Sequence, residues 1–371
     1  MNTHDQKKIL CVIGTRPEAI KMAPVIIELQ EASWANPIIL VTGQHRELLH
    51  SVLADLALTP DIDFDVMKSG QDLVEVVGTL TMRLSKIIDE LSPDIIVAQG
   101  DTASVLAASL SSFLKKIPFA HVEAGLRSGD LTSPYPEEFN RRVATLATTL
   151  HFAPTEGARQ KLLQEGIEPE AIHVTGNTVI DAVRIASSSS SLPVHALPED
   201  RAIVLLTLHR RENFGDRARQ IFAAVDRFAR QRSDIHFVYP VHPNPNIYEL
   251  AHSLLGENPA VTLLPAQGYL AMIALIKRAK VILTDSGGVQ EEAPFLGKPV
   301  LVLRTETERP EAMEQGLAKL VGYDQHRLEE ELARLLDDEA AYQCMARKSH
   351  VFGNGFAAQK VSQSIKSFLN M

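Results

Sequence analysis

At 371 residues, the chain is long enough for two domains, because a domain typically holds about 150 residues. Its hydrophobic fraction of 45% and charged fraction of 22% are those of an ordinary folded globular protein, not of a disordered or fibrous one. The net charge of −9 disfavours nucleic acid or an anionic membrane surface as the main partner, so an anionic ligand has to be bound by local Arg and Lys side chains.

The two cysteines and the N-terminus predict a cytoplasmic protein. Cys11 and Cys344 show no CxxC or Cys/His spacing, which gives no indication of a disulfide framework or a zinc site. The first residues are polar, and no uninterrupted apolar run reaches about 18 residues, so neither a signal peptide nor a membrane span is predicted.

Short β-branched runs alternate with longer amphipathic stretches along most of the chain. This alternation predicts βαβ units, with parallel sheets that are covered by helices on both faces. The clearest predicted strands are residues 8–13, 37–42, 94–99, 117–122, 171–175, 202–208, 235–241, 261–265, 280–284 and 299–304. Helical patterns lie between them, for example at 17–32, 71–91 and 214–232.

A serine-rich break, SSSSSLP at 187–193, divides the chain near its middle. Ser and Pro at this density do not form a packed element, so the break predicts a linker or surface loop. We therefore expect a first domain at residues 1–180 and a second at 181–355. The amphipathic helix predicted at 356–371 follows a Gly-Asn-Gly segment and is expected to pack back onto the first domain.

Two strand-to-helix turns have the composition of anion sites. GTRPEAIK (14–21) follows one predicted strand, and TDSGGVQEEAP (284–294) begins at the end of another. A turn of this kind exposes backbone N–H groups and lies at the positive end of the helix dipole. Arg16 and Lys21 add cations to the first turn, and Ser286 adds a hydroxyl to the second. The sequence therefore predicts one diphosphate ligand held between two α/β domains.

Several polar residues follow predicted strands, where open parallel sheets bind their ligands. The residues are Asp101, His121, Glu123, His209 and His242. Each has a simpler structural interpretation. Asp101 is equally consistent with a helix N-cap, and Glu123 has a surface pair to Arg127 as its alternative. The alternative for His209 is a buried structural imidazole, but the charged HRRE run (209–212) argues against burial.

His242 and three further residues also have structural alternatives. Glu137 and Glu138 open a predicted helix after SPYP, where acidic residues favour the helix dipole. Arg309 is consistent with a solvated helix start, and His242, between prolines, is consistent with a structural loop.

Four common chemistries lose support because their motifs are absent from the sequence. The first strand is not followed by GxGxxG, and the chain contains no GxxxxGK[ST], GxSxG or HExxH. Hydride transfer, nucleoside triphosphate hydrolysis, serine hydrolysis and zinc chemistry are therefore not predicted.

Taken together, ten segments resemble the bacterial non-hydrolysing UDP-N-acetylglucosamine 2-epimerases over nearly the whole chain. They are GTRPEAIKMAP (14–24), TGQHRELL (42–49), GDT (100–102), HVEAGLRSGD (121–130), SPYPEEFNR (133–141), TGNTVIDA (175–182), HRRENFG (209–215), YPVHPNPN (239–246), TDSGGVQEEAP (284–294) and ERPEA (308–312). The resemblance implies two Rossmann-like domains facing a central cleft, as in GT-B glycosyltransferases, and a homodimer. It also implies interconversion of UDP-GlcNAc and UDP-ManNAc for surface polysaccharide synthesis, with neither NAD nor a metal.

The resemblance further implies a mechanism and a set of site residues. UDP leaves C1 as the C2 proton is removed, which gives a 2-acetamidoglucal, and UDP then adds back with protonation of C2 from the opposite face. The positions that match the family's catalytic residues are Asp101, Glu123, Glu137 and His209. Those that match its UDP-binding residues are Arg16, Lys21, Gln267, Met272, Ser286, Gly287, Gly288, Glu292 and Arg309.

Two features of the chain concern variable parts of that family. Met272 stands where an aromatic residue is common at the nucleotide. Some relatives are activated by a second UDP-GlcNAc, and Gln44, Arg210 and His242 match parts of that allosteric site. Glu47 and Gly70, however, replace polar or basic residues found there.

Overall fold

A computed structural model describes residues 6–43, 46–66, 71–188, 196–307 and 309–371. The chain forms two compact units, a first unit of residues 1–185 with 352–371 and a second unit of residues 186–351. The serine-rich break predicted at 187–193 lies outside the described residues from position 189 onward.

The first unit contains a parallel sheet in the order β3-β2-β1-β4-β5-β6-β7. Its strands are β1 (Lys7–Ile13), β2 (Ala35–Val41), β3 (Ile62–Asp63), β4 (Ile95–Gln99), β5 (Phe119–Val122), β6 (Leu150–Ala153) and β7 (Ile172–Val174). Its helices up to the division are α1 (Arg16–Glu31), α2 (Arg46–Asp55), α3 (Leu73–Leu91), α4 (Ala103–Lys115), α5 (Glu137–Ala147), α6 (Glu156–Gln164) and α7 (Thr178–Ser188).

The apolar runs of this sheet are buried on both faces, as expected for parallel strands covered by helices. Leu10 and Val12 of β1 and Ile96 of β4 pack with Leu80 and Leu84 of α3, and all five are at most 1% exposed. The hydrophobic stripe of α3 is thereby buried against the sheet.

The second unit contains a parallel sheet in the order β10-β9-β8-β11-β12-β13. Its strands are β8 (Ala202–Thr207), β9 (Ile235–Pro240), β10 (Val261–Leu264), β11 (Val281–Thr284), β12 (Val300–Val302) and β13 (Ala318–Leu320). Its helices are α8 (Asp216–Gln231), α9 (Pro245–Leu255), α10 (Tyr269–Arg278), α11 (Gly287–Phe295), α12 (Pro310–Glu314), α13 (Gln325–Asp337) and α14 (Glu339–Met345). Its core includes Phe222 and Val225 of α8 against Phe237 and Tyr239 of β9.

The predicted α/β fold is confirmed, and three strands add to those predicted from the sequence. These are β3, β6 and β13, which have two, four and three residues. Each of these three strands pairs in parallel with a neighbouring strand, and this pairing decides its conformation.

The C-terminal segment returns to the first unit as α15 (Ala357–Phe368), which contacts α1. Asp181 of α7 accepts hydrogen bonds from the backbone N–H groups of Ala357 and Ala358 at 3.1 and 2.9 Å. The carboxylate is 1% exposed and satisfies first-turn donors of α15 that have no partner within the helix. Arg184 of α7 adds a hydrogen bond to the carbonyl of Gly355 at 2.8 Å. This segment is therefore anchored by specific polar contacts as well as by its apolar face.

None of the helices in the described part of the chain is both long enough and apolar enough to cross a membrane.

Candidate active site

Each sheet reverses its strand order once, and the predicted site residues follow the strands at those two points. In the first unit the reversal lies between β1 and β4, and in the second between β8 and β11. A crevice opens at such a point beyond the carboxyl ends of the strands, because the flanking connections run to opposite faces of the sheet. Gly14 and Asp101 follow β1 and β4, whereas His209 and Ser286 follow β8 and β11.

The turn after β1 differs in one respect from the sequence-based prediction. Its backbone N–H groups at Gly14 and Thr15 are not free, because both donate to Glu18 Oε2, the second at 2.9 Å. Glu18 is the third residue of α1, so it forms the acidic half of a capping box with Thr15. The prediction of free N–H groups at these two positions was therefore wrong, and anion binding at this turn depends on its cationic side chains.

Glu123 follows β5 and is held by three side chains of the first unit. Lys21 Nζ donates to it at 2.5 Å, Asn177 Nδ2 donates at 3.0 Å, and Gln99 Nε2 donates to its other oxygen. Its side chain is 7% exposed, and its φ of 66° lies in the left-handed region, which is uncommon for a residue other than glycine. The backbone thus tolerates strain that places this carboxylate.

The surface pair between Glu123 and Arg127 that the sequence allowed is absent. Arg127 instead donates two hydrogen bonds to Glu165, both at 2.7 Å. This bidentate geometry is the one that a guanidinium and a carboxylate prefer. Glu123 is therefore not needed as the partner of Arg127.

Asp101 is not the N-cap of α4, which was its structural alternative. Thr102 caps that helix, since its hydroxyl accepts from the backbone N–H of Ser104 at 3.2 Å. Asp101 accepts a hydrogen bond from Arg141 at 2.7 Å. Burial raises the pKa of Asp101, Arg141 opposes this, and the charges of Glu123 and Glu137 add to the rise. We call Asp101, Glu123 and Glu137 the carboxylate cluster.

Glu137 is the first residue of α5, where an acidic side chain favours the helix dipole. Its Oε2 atom is nevertheless buried, and none of the described residues offers it a hydrogen bond. A buried carboxylate oxygen without a partner loses the hydrogen bonds it made to water, which is unfavourable for folding. This oxygen has the properties expected of a group that contacts a ligand.

Two buried histidines lie beside the cluster on neighbouring strands. His121 of β5 is paired in register with His151 of β6, and each is 1% exposed. His121 Nε2 lies 2.7 Å from the carbonyl oxygen of Gly100, so that nitrogen carries the proton and donates. Burial lowers the pKa of His121 to about 4, and burial with the neighbouring His121 lowers the pKa of His151 to about 3.

These low pKa values predict acid lability. Both imidazoles are neutral in the folded protein, whereas unfolding lets each bind a proton below about pH 6.5. Their contribution to stability is therefore complete above that pH. It is lost as the pH falls towards the pKa values of the two histidines in the folded protein. Between pH 7 and pH 5, the unfolding free energy of His151→Gln should fall by about 2 kcal/mol less than that of the wild type, because the Gln side chain does not titrate. Urea denaturation at both pH values measures this.

The matched control for this experiment is His326→Gln, because the His326 side chain is 90% exposed. Its unfolding free energy at the two pH values serves as the reference for loss of a histidine at an exposed position. An equal slope in wild type and His151→Gln would contradict the neutral state assigned to this histidine.

In the second unit, α11 begins at the predicted anion turn. Ser286 is its N-cap and accepts from the backbone N–H of Val289 at 3.4 Å, and Gly287 and Gly288 form its first turn. The N–H groups of a first turn have no partner inside the helix and carry its positive dipole. We call Ser286, Gly287 and Gly288 the glycine turn.

Arg309 lies against the glycine turn and is not a solvated helix start. A Cβ atom built on Gly287 would lie 3.4 Å from the Cζ atom of Arg309. The Arg309 side chain is 17% exposed and donates to Glu291, which is 3% exposed, at 2.8 Å. The buried ion pair positions the guanidinium beside the N-terminal end of α11.

The other residues predicted to bind UDP are located on neighbouring elements of this unit. Glu292 lies in α11 and is 8% exposed, and Met272 lies half-buried in α10. Gln267 precedes α10 and donates to the carbonyl of Pro265 at 2.7 Å. Glu292 has the carboxylate that two ribose hydroxyls can donate to.

His209 is oriented by Asp285, which the sequence analysis did not single out. His209 Nδ1 lies 3.1 Å from Asp285 Oδ1, and the side chains are 39% and 0% exposed. Asp285 also accepts from the backbone N–H groups of His209 and Arg210 and from Asn213 Nδ2, at 2.8–3.1 Å. Although burial opposes it, this set of donors holds the pKa of Asp285 below its usual range. His209 is therefore half-exposed and held in one orientation, and it is not a buried structural imidazole.

The predicted allosteric residues are only partly within the described chain. The His242 ring stacks with that of His209, with centroids 6.3 Å apart, and His242 Nδ1 accepts from the backbone N–H of Asn244 at 3.2 Å. Arg210 follows His209 directly, and Gln44 lies outside the described residues.

The structure thus assembles two groups, the carboxylate cluster with Lys21 in the first unit and the glycine turn with Glu292 in the second. His209 contacts Asp285, which lies between β11 and the glycine turn. Glu18, Asn177 and Asp285 were missed, although a Thr-x-x-Glu pattern at 15–18 marks the first of them. Over the described ranges, no group of three or more His, Cys, Asp or Glu side chains is arranged to hold a metal ion.

Comparisons with known proteins cover nearly the whole chain. A family model described as UDP-N-acetylglucosamine 2-epimerase matches residues 27–366. The protein named UDP-N-acetylglucosamine 2-epimerase in Escherichia coli strain K12 is 45% identical over 370 residues, which are 97% of this chain and 98% of its own.

Two solved structures are similar to the chain along its length. The crystal structure of UDP-GlcNAc 2-epimerase from Neisseria meningitidis bound to UDP-GlcNAc has a TM-score of 0.90 and 40% identity, covering 97% of this chain and 100% of that one. The co-structure of MnaA from S. aureus with UDP has a TM-score of 0.91 and 41% identity, covering 98% and 97%.

Proposed function

The chain belongs to the UDP-N-acetylglucosamine 2-epimerase family, and we propose that it interconverts UDP-GlcNAc and UDP-ManNAc by elimination and re-addition of UDP. The observation that carries this proposal is the carboxylate cluster. The charges of Glu123 and Glu137 help to raise the pKa of Asp101, and Glu137 presents a buried oxygen with no partner among the described residues. Such a group of carboxylates suits proton transfer to and from a substrate.

The chemistry of the sugar explains why a nucleotide has to leave. The hydrogen on C2 of a pyranose is not adjacent to a carbonyl, so a carboxylate alone cannot remove it at a useful rate. Departure of UDP from C1 gives the ring oxocarbenium character, which acidifies that hydrogen. The C1–O bond electrons go to UDP, and the C2–H electrons form the C1–C2 double bond of a 2-acetamidoglucal. Re-addition reverses both steps, with the proton delivered to the other face of C2.

The glycine turn supplies what the leaving group needs. Its first-turn N–H groups and the Arg309 guanidinium hold the developing negative charge of the diphosphate. Glu292 accepts hydrogen bonds from the ribose hydroxyls, and Met272 and Gln267 contact the base side of the nucleotide. His209, which Asp285 holds in one orientation, completes the charged groups of the second unit.

The carboxylate cluster performs the proton transfers. Inversion at C2 needs one group to remove a proton from one face and another to deliver a proton to the opposite face. Asp101, Glu123 and Glu137 are the proposed acid and base groups, and Lys21 stabilises the charged form of Glu123. Arg16, next to the turn after β1, adds a cation for the phosphates.

The proposed product also suggests a biological setting. UDP-ManNAc is a precursor for surface polysaccharide synthesis, and the enzyme is proposed to act as a homodimer. Light scattering of the purified protein tests the second statement.

Incubation with UDP-GlcNAc alone tests the reaction. UDP-ManNAc should accumulate without any acceptor and without free sugar. A glycosyltransferase requires an acceptor, a hydrolysing epimerase releases ManNAc and UDP, and a nucleotide-sugar sensor binds without turnover. A product profile of any of these three kinds would refute the proposal.

The contact of Arg309 with the diphosphate makes a quantitative prediction. Arg309→Ala should weaken UDP binding by roughly 1.5–3 kcal/mol, because a charge-assisted phosphate contact is lost. Arg309→Lys keeps a charge beside Glu291 but not the planar fork, so its loss of affinity should be smaller. Isothermal titration calorimetry measures both.

Arg230→Ala is the control, since Arg230 is more than half exposed and pairs with Asp226 of its own helix at 2.9 Å. It should bind UDP as the wild type does. Wild-type affinity in Arg309→Ala would remove Arg309 from the proposed diphosphate site.

A further inference from the structure

We propose that Glu18 is a positioning residue that ties the turn after β1 to the turn that carries Asp101. The inference deepens the proposed function and rests on it, because that function assigns Arg16, Lys21 and Asp101 to the reaction. Glu18 itself contacts no reacting atom in this account. Its role is to hold the cationic turn and the carboxylate cluster in one fixed relation.

The contacts of Glu18 join two turns that are far apart in sequence. Its Oε2 atom accepts from the backbone N–H groups of Gly14 and Thr15, and its Oε1 atom accepts from the Thr102 hydroxyl at 2.5 Å. Thr102 lies 84 residues beyond Glu18 and directly follows Asp101. One carboxylate thus uses both oxygens, one for each side of the point where the strand order reverses.

The two turns are also packed without space between them. A Cβ atom added to Gly14 would lie 2.1 Å from Ser104 Oγ and 2.8 Å from Ser104 Cβ, in the first turn of α4. Thr42, at the end of β2, lies 2.9 Å from the same Ser104 hydroxyl. The hydrogen bonds of Glu18 therefore act across a close contact, in which a small displacement of one turn moves the other.

An ordinary capping box does not account for this arrangement. The acidic residue of such a box satisfies the N-cap of its own helix and has no need to be buried. Glu18 is 3% exposed, and burial raises its pKa to about 7, with hydrogen bonds from Thr102, Gly14 and Thr15 opposing the rise and Asp101 adding to it. Burial disfavours the charged form of Glu18, and the hydrogen bonds from the two turns are what stabilise it in this position.

The test uses Thr102, because its substitution removes the hydrogen bond from Thr102 to Glu18 and leaves those from Gly14 and Thr15 in place. Thr102→Val has nearly the same shape but cannot donate to Glu18 or accept from Ser104. We expect kcat to fall by about tenfold or more through displacement of Asp101, with KM and UDP affinity changed by less than about threefold. Thr102→Ser keeps the hydroxyl and should restore most of the turnover.

Glu18→Leu supplies the other half of a double-mutant cycle. Leu removes every hydrogen bond of the carboxylate, whereas Gln would keep them, because its NH₂ group can donate to the Thr102 hydroxyl. Glu18→Leu should lower kcat by at least as much as Thr102→Val, and the double variant should be no worse than Glu18→Leu alone by more than about twofold. Fully additive losses would overturn the proposal.

The control separates positioning from loss of a helix cap. Thr155 caps α6 by accepting from the backbone N–H of Ala158 at 3.2 Å, the same distance as between Thr102 and Ser104. Thr155→Val should therefore cost similar stability, about 1 kcal/mol, and leave kcat unchanged. Wild-type kcat in Thr102→Val, or an equal loss of kcat in Thr155→Val, would overturn the proposal.

Amide hydrogen exchange distinguishes failure of the tie from failure of the proposed function. Thr102→Val should accelerate exchange at Gly14 and Thr15, which lie on the opposite side of the tie. If wild-type protein does not epimerise UDP-GlcNAc, the proposed function is refuted, whereas unchanged exchange at these two amides refutes the tie.

Discussion

Glu137→Gln is expected to lower turnover by ~100-fold or more while leaving UDP affinity and melting temperature close to wild type. The substitution keeps the size and shape of the side chain but removes its ability to bind and release a proton. No hydrogen bond from the described chain is broken at the buried Oε2 atom, so folding is little affected. Steady-state kinetics, calorimetry and thermal denaturation together measure the three quantities.

The matched control is Glu156→Gln. Glu156 is the first residue of α6 as Glu137 is of α5, but it is exposed and pairs with Arg159 at 2.9 Å. If both residues served only the helix dipole, both variants would lose a few tenths of a kcal/mol and keep their activity. Near-wild-type turnover in Glu137→Gln would refute its role in proton transfer.

The same loss is expected for Glu123→Gln and Asp101→Asn. Among the described residues, Glu123 accepts hydrogen bonds from Lys21, Asn177 and Gln99, so thermal denaturation has to show that the Glu123→Gln variant remains folded. Asp101 is not needed as a helix N-cap, because Thr102 caps α4. Three variants with near-wild-type turnover would exclude the proposed mechanism, and a mixed result would identify the residues that transfer the protons.

Asp285→Asn is expected to lower turnover by ~100-fold or more through His209. The carboxylate accepts every hydrogen bond made to it, whereas an amide directs an NH₂ group at one of those donors and leaves it unpaired. His209 would then lose the partner at 3.1 Å that fixes its Nδ1 proton and orientation. The pH dependence of kcat measured with wild type and variant should differ, which a purely structural role would not produce.

Folding has to be monitored in this experiment, because Asp285 is fully buried and its loss of hydrogen bonds is expected to cost roughly 1–3 kcal/mol. Asp234→Asn provides the control, since Asp234 is an exposed partner of Arg232 in the same unit. It should change neither turnover nor its pH profile. Wild-type kinetics in a folded Asp285→Asn variant would show that turnover does not depend on the orientation of His209 by Asp285.

The long elements could be predicted from the sequence because their residues agree with their burial. β1 is apolar and buried from Ile9 to Ile13, as is β8 from Ile203 to Leu206, and α3 and α8 show the stripe of a helix packed on a sheet. The two-residue β3 carries no such pattern, and its pairing with β2 decides its conformation. Local sequence contains no information about that pairing.

At the candidate site, sequence predicted the positions that end strands but not the partners of their side chains. Glu18 occupies N–H groups that were predicted to be free, and Arg127 pairs with Glu165 instead of Glu123. Asp285 lies in the TDSGG segment, yet its role depends on His209, which is 76 residues away in sequence. Such contacts are set by the sheet order, which brings distant strand ends together.

The most direct test of the central claim is the fate of the C2 hydrogen in heavy water. UDP-GlcNAc incubated with the wild-type enzyme alone should give UDP-ManNAc that carries deuterium at C2, because the removed proton exchanges with solvent before or during the return step. Proton NMR follows the loss of the C2 signal and the appearance of the new epimer in one time course. UDP-ManNAc that retains hydrogen at C2 would contradict proton removal by the carboxylate cluster, and absence of any epimer would contradict the proposed activity.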